Sequence, residues 1–342
     1  MVTCVCGKHD GENELLTCNR CRKQKYCSKD CQKKHWNTHK WTCSDSVEIK
    51  DTGTKGKGLF SKKEYTVGDI ILKEKPFFKI TGFSTLISTF NTLSSLQDYK
   101  QDLFWTFTNN TLGEDQMVGI WKTNSIPIGD GYAGMFAFIS RANHSCDANA
   151  RYVWREDKKK EFLIAQKDIE PGDEITVEYA DMLMRREDRQ KFLLERHNFR
   201  CTCNLCSNDL YTQCYDLDLA RIHENFEEIP RVAATNPKLA LLKAENRLKL
   251  IKTVGLAKPV NMTSATYDAY QMACACQEKA KADEYLRECH RLSELSEGFN
   301  CPTARKYSGM IECIQRFENM YHNKEEINFR SNPLLSMLSN KK

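Results

Sequence analysis

Asn143-His144-Ser145-Cys146-Asp147 stands near the middle of the chain, and about thirty residues later an apolar alternating run, Glu174-Ile175-Thr176-Val177, ends on Glu178-Tyr179. Alternation of this kind reads as a half-buried strand, so Tyr179 falls at a strand end. Three closely spaced cysteines follow at Cys201, Cys203 and Cys206, and far upstream lies the turn Lys55-Gly56-Lys57-Gly58. Four chemically distinctive pieces that are separated in sequence can act only if the fold brings them together. A site assembled from all four is therefore expected.

Working outward, the 342 residues are too many for one ordinary core and predict two or three domains. Forty per cent of the residues are apolar, yet no run approaches the eighteen or so of a membrane span. Met1-Val2-Thr3-Cys4 lacks the basic then apolar stretch of a secretory signal, which predicts an intracellular protein of the nucleus or cytoplasm. In a reducing compartment the 17 cysteines read as metal ligands and buried thiols rather than disulfides. Eleven lie at metal-like spacings, and the other six (Cys214, Cys274, Cys276, Cys289, Cys301, Cys313) are expected to be small buried hydrophobes. The net charge of +5 is small for this length and argues against direct nucleic-acid binding.

The order of elements predicts an α+β protein of several domains. Residues 1–43 form a metal-rich module, 44–181 a mostly-β domain with a helical insert at about 84–118, 182–206 a cysteine segment, and 207–342 a helical domain. Strands are expected near Leu59, at Val67 to Leu72, Gly119 to Ile128, Ala150 to Trp154, Phe162 to Ala165 and Glu174 to Tyr179. Helices are expected over 181–197, 214–227, 237–255, 263–282, 283–297 and 302–322, broken by Pro230, Pro237, Pro259 and Pro302. Small residues around Lys279 to Leu286 suggest tetratricopeptide-like packing, although no repeat period emerges.

Within the first module, the pairs Cys18 and Cys21, Cys27 and Cys31, and His39 and Cys43 each place two soft ligands within reach of one tetrahedral ion. Cys4 and Cys6 complete eight ligands, hence two zinc ions. His35 shares a helical face with Cys31, His39 and Cys43 and competes as a ligand, but is read as a packed neighbour. Cys201, Cys203 and Cys206 make three quarters of a further site, which needs one more donor.

These motifs resemble two known families. The eight-ligand module resembles a MYND finger, and the turn, the Asn-His-Ser-Cys segment, Tyr179 and the cysteine triplet resemble the SET domain of protein-lysine methyltransferases. Together the chain is similar to the SET and MYND domain family. The resemblance implies that Cys4, Cys6, Cys27 and Cys31 hold one zinc, Cys18, Cys21, His39 and Cys43 a second, and Cys146 with Cys201, Cys203 and Cys206 a third. It further implies S-adenosylmethionine as cofactor, contacted by Lys55, Lys57, Asn124, Asn143, His144, Tyr179 and Phe199, with Tyr179 catalytic at the methyl-transfer pore. His197 stands where the family commonly has a tyrosine lining the lysine channel. Two further departures are the single residue between Cys4 and Cys6 and the placing of the finger before the Gly-Lys-Gly turn.

The reaction expected is methyl transfer to a lysine of a histone or another protein, by a monomer whose finger also takes proline-containing peptides. The runner-up is a non-catalytic scaffold built from finger and helices. A zinc-dependent DNA-binding regulator ranks third, since the chain has no basic recognition helix.

Overall fold

The computed structural model describes residues 4–7, 15–53, 55–81, 86–207 and 209–322. Its N-terminal module has little core of its own. A two-residue ladder pairs Leu16 with Tyr26 and Thr17 with Lys25, and helix Lys29–His39 follows it. Ser28 starts that helix by accepting the Cys31 N–H at 3.1 Å. Its 3.6-residue period then sets Cys31, His35 and His39 on one side.

Three small sheets make the central region. Val47–Asp51, Lys57–Ser61, Glu174–Val177 and Asn143–His144 form one in that order; Ala150–Arg155, Lys160–Ala165 and Ile70–Glu74 form the second; Phe78–Thr81, Tyr132–Met135 and Ile126–Pro127 form the third. Most pairings are antiparallel, but Asn143–His144 runs parallel to Glu174–Val177, with Asn143 opposite Thr176 and His144 opposite Val177. This is the pairing that puts the two sequence motifs side by side. Leu59, Phe78, Phe104, Met135, Ile139, Leu163 and Ile175 are fully buried between the sheets and helices Asp98–Trp105 and Gln116–Asn124.

Beyond Tyr179 the chain is helical: Arg186–His197, Asn204–Ser207, Asp209–Ala233, Pro237–Thr253, Pro259–Ala275, Lys279–Glu297 and Pro302–His322. From Asp209 onward, successive helices pack on one another. Ala240, Ala244, Ala265, Ala269 and Ala273 are buried at the crossings, where a missing side chain lets backbones approach. No helix among the described residues is long and apolar enough to cross a membrane.

Several expectations need correction. The strand expected over Gly119 to Ile128 is helix Gln116–Asn124, leaving only Ile126–Pro127 extended. Asp115 decides this by accepting the Met117 N–H at 2.9 Å as an N-cap, which directs Met117, Val118, Ile120 and Trp121 inward. The helical stretch of the insert therefore reaches Asn124, past residue 118. Pro230 does not separate helices; it lies in the last turn of Asp209–Ala233, where its missing N–H forgoes one hydrogen bond. The break expected near 282 falls at 276–278, where Gln277 takes a left-handed φ of 61°. Helix 181–197 starts only at Arg186. Of the six remaining cysteines, Cys289 and Cys301 are buried and Cys276 is half-buried, but Cys274 and Cys313 are exposed. The side chain of Cys214 lies outside the described residues.

Candidate active site and metal centres

Three clusters of sulfur and imidazole donors are preformed. Each of Cys4, Cys6, Cys27 and Cys31, of Cys18, Cys21, His39 and Cys43, and of Cys146, Cys201, Cys203 and Cys206 keeps its ligand atoms within 4.8 Å of one another. A tetrahedron with Zn–S of about 2.3 Å has edges of about 3.8 Å. The observed sulfur separations match: Cys18 to Cys43 is 3.7 Å, Cys146 to Cys206 is 3.6 Å and Cys146 to Cys201 is 3.9 Å. His39 Nε2 lies 3.4 Å from Cys18 and 3.5 Å from Cys21. The first cluster is tighter, at 3.4 Å between Cys4 and Cys6, and its Cys6 is exposed, whereas all four donors of the second are buried. Thus the pair enclosing only Val5 still closes on Cys27 and Cys31. His35 ligates nothing; its Nδ1 meets the Tyr26 hydroxyl at 3.2 Å and its ring stacks on His39.

The third cluster carries an independent mark of a metal. Arg189, on helix Arg186–His197, is fully buried, and its Nε and Nη2 reach no hydrogen-bond partner. Burial alone would lower its pKa, but the sulfurs of Cys146 and Cys206 beside it together raise it. A buried guanidinium beside neutral thiols is unfavourable, whereas beside four thiolates on a divalent ion it offsets a net negative charge. The donor set therefore fits a zinc centre.

Two of the residues expected to contact a cofactor, Asn143 and Lys55, meet a carboxylate that the sequence did not single out. Glu174 Oε1 accepts the Asn143 Nδ2–H at 2.8 Å, and its Oε2 lies 3.4 Å from Lys55 Nζ. Gly56 has a φ of +71°, and its carbonyl accepts from both the backbone N–H and the hydroxyl of Thr52. Gly58 must be glycine for another reason. A Cβ there would stand 2.7 Å from Thr52 Cγ2, 2.9 Å from Glu174 Oε1 and 3.0 Å from Asn143 Nδ2. Lys57 is exposed. Asn124 spends its Nδ2 on the carbonyls of Thr108 and Ile120, at 2.8 and 2.7 Å, and so holds the loop that lies against Gly56.

Tyr179 closes the site. Its hydroxyl donates to the Ala142 carbonyl at 2.8 Å, and its backbone N–H donates to His144 Nδ1 at 3.0 Å. The second bond fixes the tautomer of neutral His144, so Nε2 carries the proton and points to Cys146 Sγ at 3.4 Å. One imidazole thereby connects the metal centre to the backbone of Tyr179. The tyrosine ring lies 4.8 Å from His197, 5.4 Å from His144 and 6.5 Å from Phe199, making a small aromatic enclosure. His197 is delivered by the end of helix Arg186–His197, which Asn198 terminates in the left-handed conformation at φ 54°. Asn110 donates its Nδ2–H to the His197 carbonyl.

Burial sets the charge states. It pushes the Tyr179 phenol above the usual tyrosine range and lowers His144 to about 4. His197 is lowered by burial and then by Arg196. The enclosure therefore holds neutral groups at neutral pH. A cavity of about 460 Å³ opens elsewhere, between Arg20, Lys40 and Trp41 of the finger and strand Ile70–Glu74, and none of His144, Tyr179, His197 and Phe199 lines it.

The residues missed from the sequence are Glu174, Arg189 and Asn149, whose Oδ1 accepts the Thr176 N–H at 2.9 Å. A polar residue carries no mark of its partner in the sequence, whether it stands in a strand, a turn or, like Arg189, a helix.

Comparison with known families agrees with this geometry. The SET domain family matches residues 56–180, and the MYND finger family residues 4–43. The histone-lysine N-methyltransferase set5 of Schizosaccharomyces pombe is 26% identical over 263 residues, covering 75% of this chain and 81% of that protein. Human histone-lysine N-methyltransferase SMYD3 is 32% identical over 61% of this chain, and human N-lysine methyltransferase SMYD2 27% over 56%. The chain spans about half the length of these two, 52% and 48%. The chain thus matches the MYND finger family and the SET domain family together, and the parallel strands within the latter match carry the Asn143-His144 and Val177 to Tyr179 motifs.

Proposed function

We propose that the protein is a protein-lysine N-methyltransferase that uses S-adenosylmethionine to methylate a lysine of a histone or another protein. The observation that carries this reading is the placement of the Tyr179 hydroxyl on the Ala142 carbonyl, inside the aromatic enclosure and one strand from Asn143. The cofactor supplies an electrophilic methyl on a sulfonium. Lys55, Lys57, Asn124, Asn143, His144 and Phe199 are the residues proposed to hold it, with the Gly56 to Gly58 backbone lying alongside.

The chain's own contribution is geometry and dryness. A lysine amine must shed its proton to attack, although its ordinary pKa is about 10.4. The burial that depresses His144 and His197 disfavours any cation there, and so acts on an entering ammonium in the same sense. The Ala142 carbonyl and the un-ionised Tyr179 oxygen offer acceptors for C–H···O contacts to a polarised methyl. Alignment within such a channel supplies much of the acceleration. His197, in place of a second phenol, sets how many methyl groups the channel admits. Within the same reading, three zinc ions occupy the donor clusters, the protein works as a monomer in nucleus or cytoplasm, and the finger takes proline-containing peptides.

The test is incubation with labelled cofactor, a histone panel and cell lysate, followed by mass spectrometry of the labelled lysines. Tyr179→Phe deletes one oxygen and leaves the ring. It is expected to lower turnover at least tenfold, about 1.4 kcal/mol in the barrier, with near-normal cofactor affinity. Full activity of that variant refutes the assignment.

A further inference from the structure

Carboxylates follow both parallel strands that build the site: Glu178 comes directly after Val177, and Asp147 directly after Cys146, three residues past His144. Both face one lysine from the helical region. Lys258 precedes helix Pro259–Ala275, its side chain is 3% exposed, and its Nζ lies 2.8 Å from Glu178 Oε1 and 3.7 Å from Asp147 Oδ1. The backbone around it is fixed, because the Lys258 carbonyl accepts the N–H groups of Asn261 and Met262 at 3.0 Å each. Beside it, Leu256, Met262 and Ala265 are buried in the same cluster as Cys146, Ala180 and Met182. Asp147 has a second cation in Lys167, at 2.5 Å.

A buried ammonium is costly unless it is paired, and removing it leaves Glu178 without its cation, whereas Asp147 keeps Lys167. The buried lysine depends on both carboxylates, and of the two it is Glu178 that it holds directly. Glu178 adjoins the tyrosine whose N–H meets His144, and Asp147 adjoins the thiol to which His144 points. We propose that Lys258 is a positioning residue of the transfer site, a staple by which the helical region fixes the Tyr179 hydroxyl on the Ala142 carbonyl. It touches neither cofactor nor substrate and acts through Glu178. The proposal rests on the methyltransferase reading for its effect on turnover, but its effect on the backbone does not.

The experiment compares Lys258→Met, Lys258→Arg, Glu178→Gln and the double variant Lys258→Met with Glu178→Gln. Two quantities are read: hydrogen exchange of the Tyr179 amide against that of Leu59, and kcat and KM for both substrates. Lys258→Met is expected to speed Tyr179 exchange at least tenfold while Leu59 is unchanged. It should lower kcat about tenfold, with the cofactor KM within twofold. Arginine should restore most of both, and in the Glu178→Gln background the lysine change should add little. Unchanged Tyr179 exchange in folded Lys258→Met overturns the staple, as does equal behaviour of Met and Arg, which marks mere packing. Should Lys258→Met fail to fold, Glu178→Gln carries the same exchange comparison. A wild-type protein that methylates nothing sinks the methyltransferase reading alone, since the exchange comparison still decides the staple.

Discussion

Replacing Gly58 by alanine probes the closest approach in the proposed cofactor side. The residue is buried and lacks the positive φ of Gly56, so the backbone itself tolerates alanine and the cost is steric. The new Cβ would lie 2.7 Å from Thr52 Cγ2, against a carbon–carbon optimum of about 3.5–4.0 Å. It would also press on Glu174 Oε1 and Asn143 Nδ2, the two atoms that make the 2.8 Å bond between these side chains. Overpacking a buried position costs about 1–3 kcal/mol, and loosening a hydrogen bond to a carboxylate about 1.5–3 kcal/mol. The two overlap because one shift relieves both, and the loss of glycine's freedom in the unfolded chain returns about 0.4–1 kcal/mol. A net loss of about 2–3 kcal/mol is expected in urea unfolding, with at least tenfold weaker cofactor binding by calorimetry. Thr52→Ser deletes the nearest carbon while keeping the hydroxyl that bonds Gly56, so in combination it should recover about 1 kcal/mol. A Gly58→Ala protein within about 0.5 kcal/mol of wild type that binds cofactor normally would falsify the account of this turn.

Metal analysis of purified protein should find three zinc ions per chain, and Cys203→Ser two; a wild-type value of two, unchanged in the variant, would empty the third centre. His197→Tyr is expected to change the ratio of mono-, di- and trimethylated product on a confirmed substrate, and an unaltered ratio would remove that residue from the channel. Glu161 supplies a pH test. Burial holds its carboxyl at about 8 in the fold against an ordinary 4.5, and its Oε2 has no partner. Its contribution is full below the unfolded value and is lost as pH rises through the folded one. Melting temperature should therefore fall from pH 6 to pH 9, and Glu161→Gln should flatten that fall; an equal fall in both proteins contradicts it.

Much of the site was legible because its chemistry is local in sequence. Cysteine pairs two to four apart announce shared ions, and Glu174 to Val177 announces a strand by alternation. What the sequence could not show is which side chain answers another across space. Asn143 reads as a polar residue before a histidine, and only the parallel ladder to Thr176 brings it to Glu174. Arg189 looks like one more charge on the polar helix Arg186–His197, yet it is fully buried, beside the sulfurs of Cys146 and Cys206. The failed strand at Gly119 to Ile128 has the same origin. Its apolar residues suit either periodicity, and the choice fell to Asp115, a single capping side chain just outside the run.

The third cluster joins Cys146 to Cys206 across 60 positions, whereas the donors of the finger all lie between residues 4 and 43. On a growing chain the finger can take its metal as soon as residue 43 has left the ribosome. The transfer site must wait for the cysteine triplet to emerge and return to Cys146, a loop whose closure entropy the metal bonds have to outweigh. Zinc supply thus acts at two separate moments of biogenesis. A chain starved only at the later one would keep its finger while its tyrosine lacked a finished wall.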